Sequence, residues 1–262
     1  MRAMPLTIRL CTWNLQLGLQ LETILEAIKT QDDFANIDLL ALQEASIHSD
    51  RMDAETIAST LGPDYECFQV TAHFLGKYAQ ANALVWNNKR FQVSSRDTVI
   101  LPRVRELKLA RAERAILCAL PEQQRISSVL DGRMGDESLR IYVAHLDVLG
   151  IAHKRQQFLK ILLDARARQP KTDATIIAGD LNTFRLTRSR PTWSKLAAAA
   201  ARDGFEDLTS EIRWTHQFKP VRFRQKLDAI FLRYSQPFKY RSWSLDIPGS
   251  DHIPVFAEIK LI

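Results

Sequence analysis

The chain has 262 residues, of which 46% are apolar and 25% are charged. This composition is typical of a folded globular protein and excludes an intrinsically disordered chain. No run of 18 apolar residues occurs, and the first ten residues lack the apolar stretch of a secretory signal. Lys and Arg together number 36 against 30 Asp and Glu, giving a net charge of +6. That excess favours phosphate-rich partners such as nucleic acid or anionic lipid, or else a merely basic surface.

The three cysteines are too few for a dense disulfide framework, and each lies in an apolar, strand-like stretch: Cys11, Cys67 and Cys118. Buried free thiols are typical of a reducing compartment. The sequence therefore predicts a cytoplasmic protein with no transmembrane segment.

Four segments have helical patterns. The first places Leu21, Ile24, Leu25 and Ile28 on one face. The second is closed by Gly62-Pro63, the third is the longest, and the fourth is rich in alanine. The predicted helices cover 21–30, 52–61, 151–168 and 192–202.

Strand patterns outnumber these helices, with turn signals such as Asn87-Asn88 and Asp131-Gly132 between them. The order of elements hints at two similar halves. We expect one α/β domain over residues 1–262, built as a four-layer sandwich of two packed mixed β-sheets flanked by helices. The predicted strands cover 6–13, 37–44, 65–70, 82–86, 91–100, 114–120, 139–145, 175–180, 227–233, 239–245 and 253–260.

Polar residues stand at the ends of several apolar strands, where a sheet edge can present them to a common cleft. Any one of them taken alone is a turn or cap residue by default. The recurrence of carboxylate, amide and imidazole groups, without cysteine, is harder to attribute to turns. These residues are Asn14, Glu44, His145, Asp147, Asp180, Asn182, Asp228, Asp251 and His252.

Hard oxygen ligands suit Mg²⁺, Mn²⁺ or Ca²⁺ better than a metal that prefers thiolate. An anionic phosphoryl centre repels hydroxide, so its hydrolysis needs a cation on the phosphate oxygens. A carboxylate or histidine must also orient or deprotonate the attacking water. The residue types therefore favour metal-assisted hydrolysis of a phosphate ester.

Six sequence blocks occur in an order that resembles the endonuclease/exonuclease/phosphatase superfamily, over residues 7 to about 260. That superfamily includes pancreatic-type deoxyribonucleases, abasic-site endonucleases, neutral sphingomyelinases and inositol polyphosphate 5-phosphatases. GD-x-N and S-D-H-x-P are modest motifs singly, but all six in order are specific. The blocks are TWNLQ (12–16), LLALQE (39–44), VAHLD (143–147), IAGDLNT (178–183), LDAIFL (227–232) and SDHIPVFAEI (250–259).

The resemblance implies a Mg²⁺ or Mn²⁺ site. Glu44 resembles the principal carboxylate ligand, with Asn14 beside both the metal and the scissile phosphate. Asp251 completes the ligand shell, partly through water. Asp180 resembles the residue that aligns or deprotonates the attacking water, and Asn182 the one that binds that water or a phosphate oxygen.

The same resemblance assigns the remaining polar groups. His252 is expected to contact the phosphate, held in one tautomer by Asp228. His145 matches a second histidine near the leaving oxygen, with Asn82 as the residue that orients it. Arg111 or Arg114 is expected to contact the phosphate.

Other polar residues are assigned structural roles. Asp147 is expected to cap the following helix, and the Arg155-Gln156 pair to be structural. The histidines that match no motif are expected to be exposed or satisfied by structural hydrogen bonds: His48, His73, His153 and His216.

The substrate class rests on weaker signals. Basic residues are interleaved with aromatic ones between Trp214 and Lys226, and three arginines follow the GDLN motif. Such a pattern suits a phosphodiester backbone with stacked bases, or a solvated face with core aromatics. The VAHLD block and Gln16 depart from the abasic-site endonuclease pattern. Nucleic acid is therefore the expected substrate; a phospholipid or inositol phosphate and a non-catalytic phosphate-binding role are the alternatives.

Overall fold

The computed structural model of the chain describes residues 6–48, 50–103, 123–148, 150–183, 192–218 and 223–262. The predicted fold is confirmed, because two six-stranded mixed sheets pack together with helices on their outer faces. The strands are β1 (Leu6–Asn14), β2 (Leu39–Ala45), β3 (Ile47–His48), β4 (Arg51–Met52), β5 (Tyr65–Leu75), β6 (Tyr78–Asn87), β7 (Gln92–Ile100), β8 (Ile126–Met134), β9 (Glu137–His145), β10 (Ala174–Asp180), β11 (Glu206–Asp207), β12 (His216–Phe218), β13 (Phe223–Gln225), β14 (Asp228–Tyr234), β15 (Phe238–Ser244) and β16 (Val255–Leu261).

Each sheet contains one parallel pair among antiparallel neighbours. The first sheet has the order β15-β16-β1-β2-β6-β5, with β1 and β2 parallel. The second has the order β11-β14-β10-β9-β8-β7, with β9 and β10 parallel. Parallel neighbours need a crossover connection, and a helix supplies it in both sheets. The two strands of each parallel pair therefore end at the same end of their sheet, where polar side chains can meet.

The helices are α1 (Leu21–Thr30), α2 (Asp53–Leu61), α3 (Ile151–Ala167) and α4 (Thr192–Arg202). Helices α1 and α2 cover the outer face of the first sheet, and α3 and α4 that of the second. Between the sheets lies a third apolar layer, which includes Trp86, Phe91 and Leu139. Burying apolar surface on both faces of each sheet makes the sheet positions rigid. None of the described helices is long and apolar enough to cross a membrane.

The predicted turn at Asp131-Gly132 is wrong, because both residues lie inside β8. A Cβ atom on Gly132 would stand 2.5 Å from the Gln92 carbonyl oxygen and 2.7 Å from the Phe91 ring. Glycine is thus required by the close approach of β7, and not by a turn. The turn follows at Gly135, which has a φ of 59°.

A second glycine has a direct bearing on the polar edge. Gly179 precedes Asp180 with a φ of 148°, and a Cβ there would lie 1.9 Å from the carbonyl oxygen of Ala144. Only glycine permits β10 to approach β9 this closely. The contact brings the ends of the two strands, Asp180 and His145, into register.

Candidate active site

The predicted site residues lie at the ends of the central strands. Asn14 ends β1, His145 ends β9 and Asp180 ends β10, while Glu44 is the penultimate residue of β2 and Asp228 begins β14. Residues of the first sheet thus face residues of the second across the end of the sandwich. The arrangement follows from the two parallel pairs, because their carboxyl ends point the same way.

Two residues of the cluster have left-handed backbone conformations, which residues other than glycine rarely adopt. Glu44 has a φ of 50°, at a bulge where β2 shifts its register against β6. Asn182 has a φ of 48°. A left-handed backbone at a residue other than glycine costs free energy and is enriched at functional sites. The bulge turns Glu44 away from the regular alternation of β2.

Asp180 occupies the middle of the cluster. Asn14 Nδ2 donates to its Oδ2 at 3.1 Å, and the Asn182 backbone N–H donates to its Oδ1 at 2.7 Å. The Nε2 atoms of His145 and His252 both lie 3.8 Å from Oδ2. Burial raises the pKa of Asp180, partly offset by the nearby charge of His252. The carboxylate is therefore a stronger proton acceptor than an exposed aspartate.

His252 is paired with Asp228, as the sequence predicts. Its Nδ1 lies 2.8 Å from Asp228 Oδ2, and both side chains are almost fully buried. Burial lowers the pKa of His252, but the carboxylates of Asp228 and Asp180 outweigh this effect and raise it to about 10. The Trp13 indole N–H donates to the His252 carbonyl at 3.1 Å and fixes the backbone. This raised pKa favours the protonated, cationic ring at neutral pH.

A buried arginine that the sequence prediction missed links two further site residues. Arg125 is 2% exposed, and its Nη1 lies 3.1 Å from His145 Nδ1 and 2.8 Å from the Gln80 side-chain oxygen. Gln80 in turn donates to Glu44 Oε1 at 3.0 Å. Burial and the charge of Arg125 hold the pKa of His145 well below its usual value. His145 is therefore neutral. No specific signal in the sequence pointed to it, because Arg125 is one of 36 basic residues and the strand that follows it was not predicted.

Asn82 does not contact His145 in the way the sequence predicts. Its amide donates to the carbonyl oxygens of Ile126 at 2.9 Å and Val143 at 3.2 Å. These bonds tie β6 of the first sheet to β8 and β9 of the second. Arg125, and not Asn82, is the group that contacts His145.

The remaining predicted polar residues fall around this centre. Asn182 Nδ2 donates to the Leu146 carbonyl at 2.8 Å. Asp147 does not cap α3 as the sequence predicts, because the N-cap residue is Gly150 and no side chain caps the helix. Asp147 instead contacts the side chain of His153, whose Nε2 lies 3.2 Å from its Oδ2. The pair Arg155-Gln156 is exposed. Its neighbours turn inward instead: Lys154 is buried, and Gln157 accepts from the Asp147 backbone N–H at 2.8 Å.

His216 matches no motif, yet it lies in the site. Its Nε2 is 3.5 Å from Asp251 Oδ2, and its ring meets that of His252 edge to face, with centroids 4.7 Å apart. An isolated β-bridge joins the two histidines' backbones. The expectation of a structural or exposed histidine does not account for this position. The sequence offered no signal beyond the histidine itself, because the contact depends on long-range pairing.

The three residues predicted to hold a metal ion offer carboxylate and amide oxygens, and Asn14 also bonds to Asp180. Burial raises the pKa of Glu44, since its charge is poorly solvated. Burial alone would also raise the pKa of Asp251, but His216 and His252 hold the pKa of Asp251 below its usual value. Carboxylate and amide oxygens with poorly solvated charge suit Mg²⁺ or Mn²⁺. The residues Glu44, Asn14 and Asp251 therefore fit such an ion.

An aromatic and basic surface adjoins the cluster. Strands β12 and β13 form a hairpin that starts at His216, with Phe218 opposite Phe223. These rings are 50% and 44% exposed. The Arg224 guanidinium lies 4.0 Å from the centroid of the Trp214 ring. A cleft of about 320 Å³, lined by Trp214 among others, leads from there to Asp251.

Several predicted residues lie outside the described residues. They comprise both candidate phosphate-binding arginines and most of the basic residues near the motifs: Arg111, Arg114, Arg185, Arg188, Arg190, Lys219 and Arg222. Cys118 and the predicted strand at 114–120 also fall there. Of the other cysteines, Cys11 is buried and Cys67 is half-buried, and both are free thiols.

Comparison with known proteins identifies the family. The model of the endonuclease/exonuclease/phosphatase family matches residues 11–252. The chain belongs to this family. Its members are metal-dependent phosphoester hydrolases. A comparison with curated protein sequences gives no significant match.

Solved structures show the same fold at low identity. An endonuclease/exonuclease/phosphatase family protein from Bacteroides thetaiotaomicron is 15% identical with a TM-score of 0.71, covering 99% of this chain and 100% of that one. D. rerio TDP2 in complex with a single-strand DNA product is 15% identical with a TM-score of 0.67, covering 97% and 98%. A mannosyl-6-phosphatase from B. thetaiotaomicron VPI-5482 is 13% identical with a TM-score of 0.66, covering 96% and 99%.

Proposed function

We propose that this protein is a divalent-metal-dependent phosphodiesterase that hydrolyses nucleic acid with an Asp180-activated water. The observation that carries the reaction type is the convergence of His145 and His252 on one oxygen of Asp180, each at 3.8 Å. That spacing leaves room for a small reacting group beside a proton acceptor and a cation.

Glu44 and Asn14 would hold the metal ion, and Asp251 would complete its ligands. When bound, Mg²⁺ or Mn²⁺ neutralises charge on the phosphate oxygens. The protein's own contribution is the rigid placement of the ligands. Gln80 fixes one oxygen of Glu44, and Ser250 Oγ donates to the Asn14 carbonyl at 2.7 Å.

Asp180 orients the attacking water and accepts its proton. Asn14 and the Asn182 backbone hold the carboxylate in one orientation, and burial raises its pKa toward the range that suits a general base. Asn182 keeps its amide oxygen for the water or a phosphate group, because its Nδ2 is bonded to the Leu146 carbonyl.

Cationic groups on the opposite side stabilise the charge that develops on the phosphate. The His252 imidazolium, held by Asp228, donates to a phosphate oxygen. Arg125 places a second buried positive charge behind His145. Neutral His145 keeps its single proton and offers that N–H as a hydrogen bond to the leaving oxygen, and Arg125 and Glu44 set its orientation.

The hairpin surface supports nucleic acid as the substrate. Phe218 and Phe223 present exposed rings, and Arg224 lies over Trp214 beside the cleft. Exposed aromatic rings stack on unpaired bases, and a guanidinium pairs with the backbone. The net charge of +6 adds general attraction to polyanions. The single-strand DNA product bound by D. rerio TDP2 is consistent with this substrate class.

The test of this substrate is the affinity for single-stranded DNA. Phe218→Ser with Arg224→Ala should weaken binding by roughly 10-fold or more, since base stacking contributes about 1–3 kcal/mol per base. Phe74→Ser is the matched control, because Phe74 is also exposed (63%) but lies on β5. Fluorescence anisotropy at two salt concentrations measures both the affinity for DNA and its dependence on salt concentration. Equal affinity for all three proteins would contradict the role of the hairpin.

A small phosphomonoester is the second candidate, since a mannosyl-6-phosphatase shares the fold. A panel in Mg²⁺ and Mn²⁺ separates the candidates: plasmid, oligonucleotides, sugar phosphates, inositol phosphates, sphingomyelin and bis-p-nitrophenyl phosphate. We propose that oligonucleotides are hydrolysed fastest. Turnover of sugar phosphates alone would favour the second candidate, and no turnover of any ester would favour a binding protein.

The remaining proposals concern the whole chain. We propose that residues 1–262 form one domain and that the protein acts in the cytoplasm. The free thiols of Cys11 and Cys67 support a reducing compartment.

A further inference from the structure

We propose that the start of helix α3 forms an anion site around Lys154, which binds a second phosphate group of the substrate, carried by the leaving group. The proposed reaction does not otherwise use this amine. The position of the leaving group rests on the proposed function, whereas binding of an anion at α3 requires no turnover.

Helix α3 begins at the edge of the second sheet where the reacting groups lie. It is the crossover between the parallel strands β9 and β10, which end at His145 and Asp180. Two contacts hold its first turns at this edge. His153 Nε2 lies 3.2 Å from Asp147 Oδ2, and Gln157 accepts from the Asp147 backbone N–H at 2.8 Å. Asp147 follows His145 by two residues, so the start of α3 adjoins the active site.

The side chain of Lys154 extends from this helix start toward the strand ends. Lys154 stands on the inner face of α3, four and seven residues before Phe158 and Ile161, which belong to the apolar core on the second sheet. Side chains on a helix lean toward its N-terminus, so the Lys154 chain extends past the first turn of α3. Lys154 is 3% exposed, the same fraction as His145. The amine is therefore buried beside the active site.

The protein alone satisfies this amine poorly. Burial lowers the pKa of Lys154 to about 8, and the charges of Asp180 and Asp147 oppose that effect, as expected for an amine near both carboxylates. No hydrogen bond or ion pair, however, joins the amine to any of the described residues. A buried charge without a paired group costs free energy. An anion bound beside Lys154 would offset that cost.

Arg125 is a second buried cation that interacts with the same two carboxylates. Its hydrogen bonds go to neutral groups, namely two glutamine side chains and the His145 ring. Its Nε has no hydrogen-bond partner among the residues that the structure describes. Two buried cations thus lie near Asp147, the carboxylate at this helix start, which His153 already engages. This excess of positive charge favours an anion.

The end of the helix adds to the site. Gly150 is the N-cap residue of α3, and no side chain caps the helix. The first N–H groups of an α-helix have no intrahelical partners and carry a partial positive charge, which favours a bound phosphate. The uncapped helix end and Lys154 together provide hydrogen-bond donors of the kind that a phosphate group requires.

The position of the site indicates the kind of ester. The proposed function places His145 at the leaving oxygen, so an anion at the start of α3 belongs to the leaving group. A nucleic-acid strand carries such a second phosphate, whereas a sugar monophosphate does not. Lys154 therefore selects substrates with two neighbouring phosphate groups.

Binding of thymidine 3′,5′-bisphosphate and of the two thymidine monophosphates to the whole protein, in Mg²⁺, tests this site by isothermal titration. At about pH 7 the Lys154 amine is mostly protonated. Wild type should bind the bisphosphate about 10-fold or more tightly than either monophosphate, as expected for one charge-assisted hydrogen bond. Lys154→Met should remove most of that preference, and Lys154→Arg should retain it. Lys160→Met, on the exposed face of the same helix, is the matched control.

Urea unfolding verifies that Lys154→Met is folded, which the loss of an unpaired buried charge favours. An equal preference for the bisphosphate in wild type and folded Lys154→Met would overturn the anion site, whether or not the protein cleaves nucleic acid. The absence of any preference in wild type would overturn it as well. A preference that only Lys154→Met loses, in a protein that cleaves no nucleic acid, would support the anion site and contradict the nuclease activity alone.

Discussion

The charge of His252 depends on one carboxylate. Asp228 accepts from the ring at 2.8 Å, and its backbone N–H donates to Thr215 Oγ1 at 3.0 Å, which fixes its position. Burial alone would leave the imidazole neutral. The proposed stabilisation of the phosphate by His252 is therefore a property of the pair.

Asp228→Asn should lower kcat by about 100-fold, because the amide cannot stabilise the imidazolium. Asp228→Asn combined with His252→Gln should cost little more than His252→Gln alone, as expected for residues that act together. Steady-state kinetics on an oligonucleotide measure the cycle. Asp147→Asn is the control, since Asp147 pairs with His153 at 3.2 Å. Strictly additive effects of the two site mutations would contradict the pairing.

Arg125 connects both halves of the site through Gln80 and His145. Arg125→Met should lower kcat by about 10²-fold or more and also weaken Mg²⁺ binding, because Glu44 loses the support of Gln80. Isothermal titration with Mg²⁺ and single-turnover kinetics measure the two effects separately. Arg96→Met, an exposed arginine on β7, is the control. Unchanged kcat in Arg125→Met would show that this charge has no part in turnover.

For single residues of the site, the sequence predicted those that belong to motifs and missed those that do not. Asp180 and Asp228 meet His252 as expected, because the first two stand at strand ends and His252 lies three residues before β16. Gln80, Arg125 and His216 reach the site through strand pairing between distant segments. Asn82 was placed in the right region, but its hydrogen bonds serve the packing of the two sheets.

At the scale of elements, helix α3 carries an unusual buried amine. Lys154 is 3% exposed, and burial lowers its pKa to about 8 despite the nearby carboxylates of Asp180 and Asp147. The folded state therefore releases this proton at a lower pH than the unfolded chain does. A depressed pKa means that the folded state gains stability as pH rises from about 8 to the unfolded value of 10.5.

Lys154→Met should remove that rise and should stabilise the protein at pH 7 by an amount on the order of 3 kcal/mol. Urea unfolding at pH 7 and pH 10 measures both effects. Lys160→Met, on the exposed face of the same helix, should change neither. A parallel pH dependence in wild type and Lys154→Met would contradict the burial of the amine.

Helix boundaries were predicted closely because apolar periodicity and end signals are local: the expected 21–30 and 192–202 correspond to Leu21–Thr30 and Thr192–Arg202. Strand β8 and the hairpin of β12 and β13 were not predicted. Their sequences contain serine, glycine and charge, and only the neighbouring strands make them extended.

At the scale of the molecule, the two sheets hold the reacting groups in place. The first sheet supplies Glu44 and Asn14, and the second supplies Asp180 and His145. Neither sheet carries all of the site residues, so the geometry of the site depends on the apolar layer that packs the two sheets together. The sequence predicted this packing from the number of strands and from family resemblance. It did not predict which arginine lies behind His145, since that requires the order of strands within a sheet.

The most direct test of the proposed function is hydrolysis of a single-stranded oligonucleotide by wild type and Asp180→Asn, each in Mn²⁺, in Mg²⁺ and in EDTA. Wild type should cleave in either metal and lose activity in EDTA. Asp180→Asn should be at least about 10³-fold slower in kcat while unfolding at a similar urea concentration. Cleavage that persists in EDTA, or that is unchanged by Asp180→Asn, would contradict the metal- and aspartate-dependent mechanism.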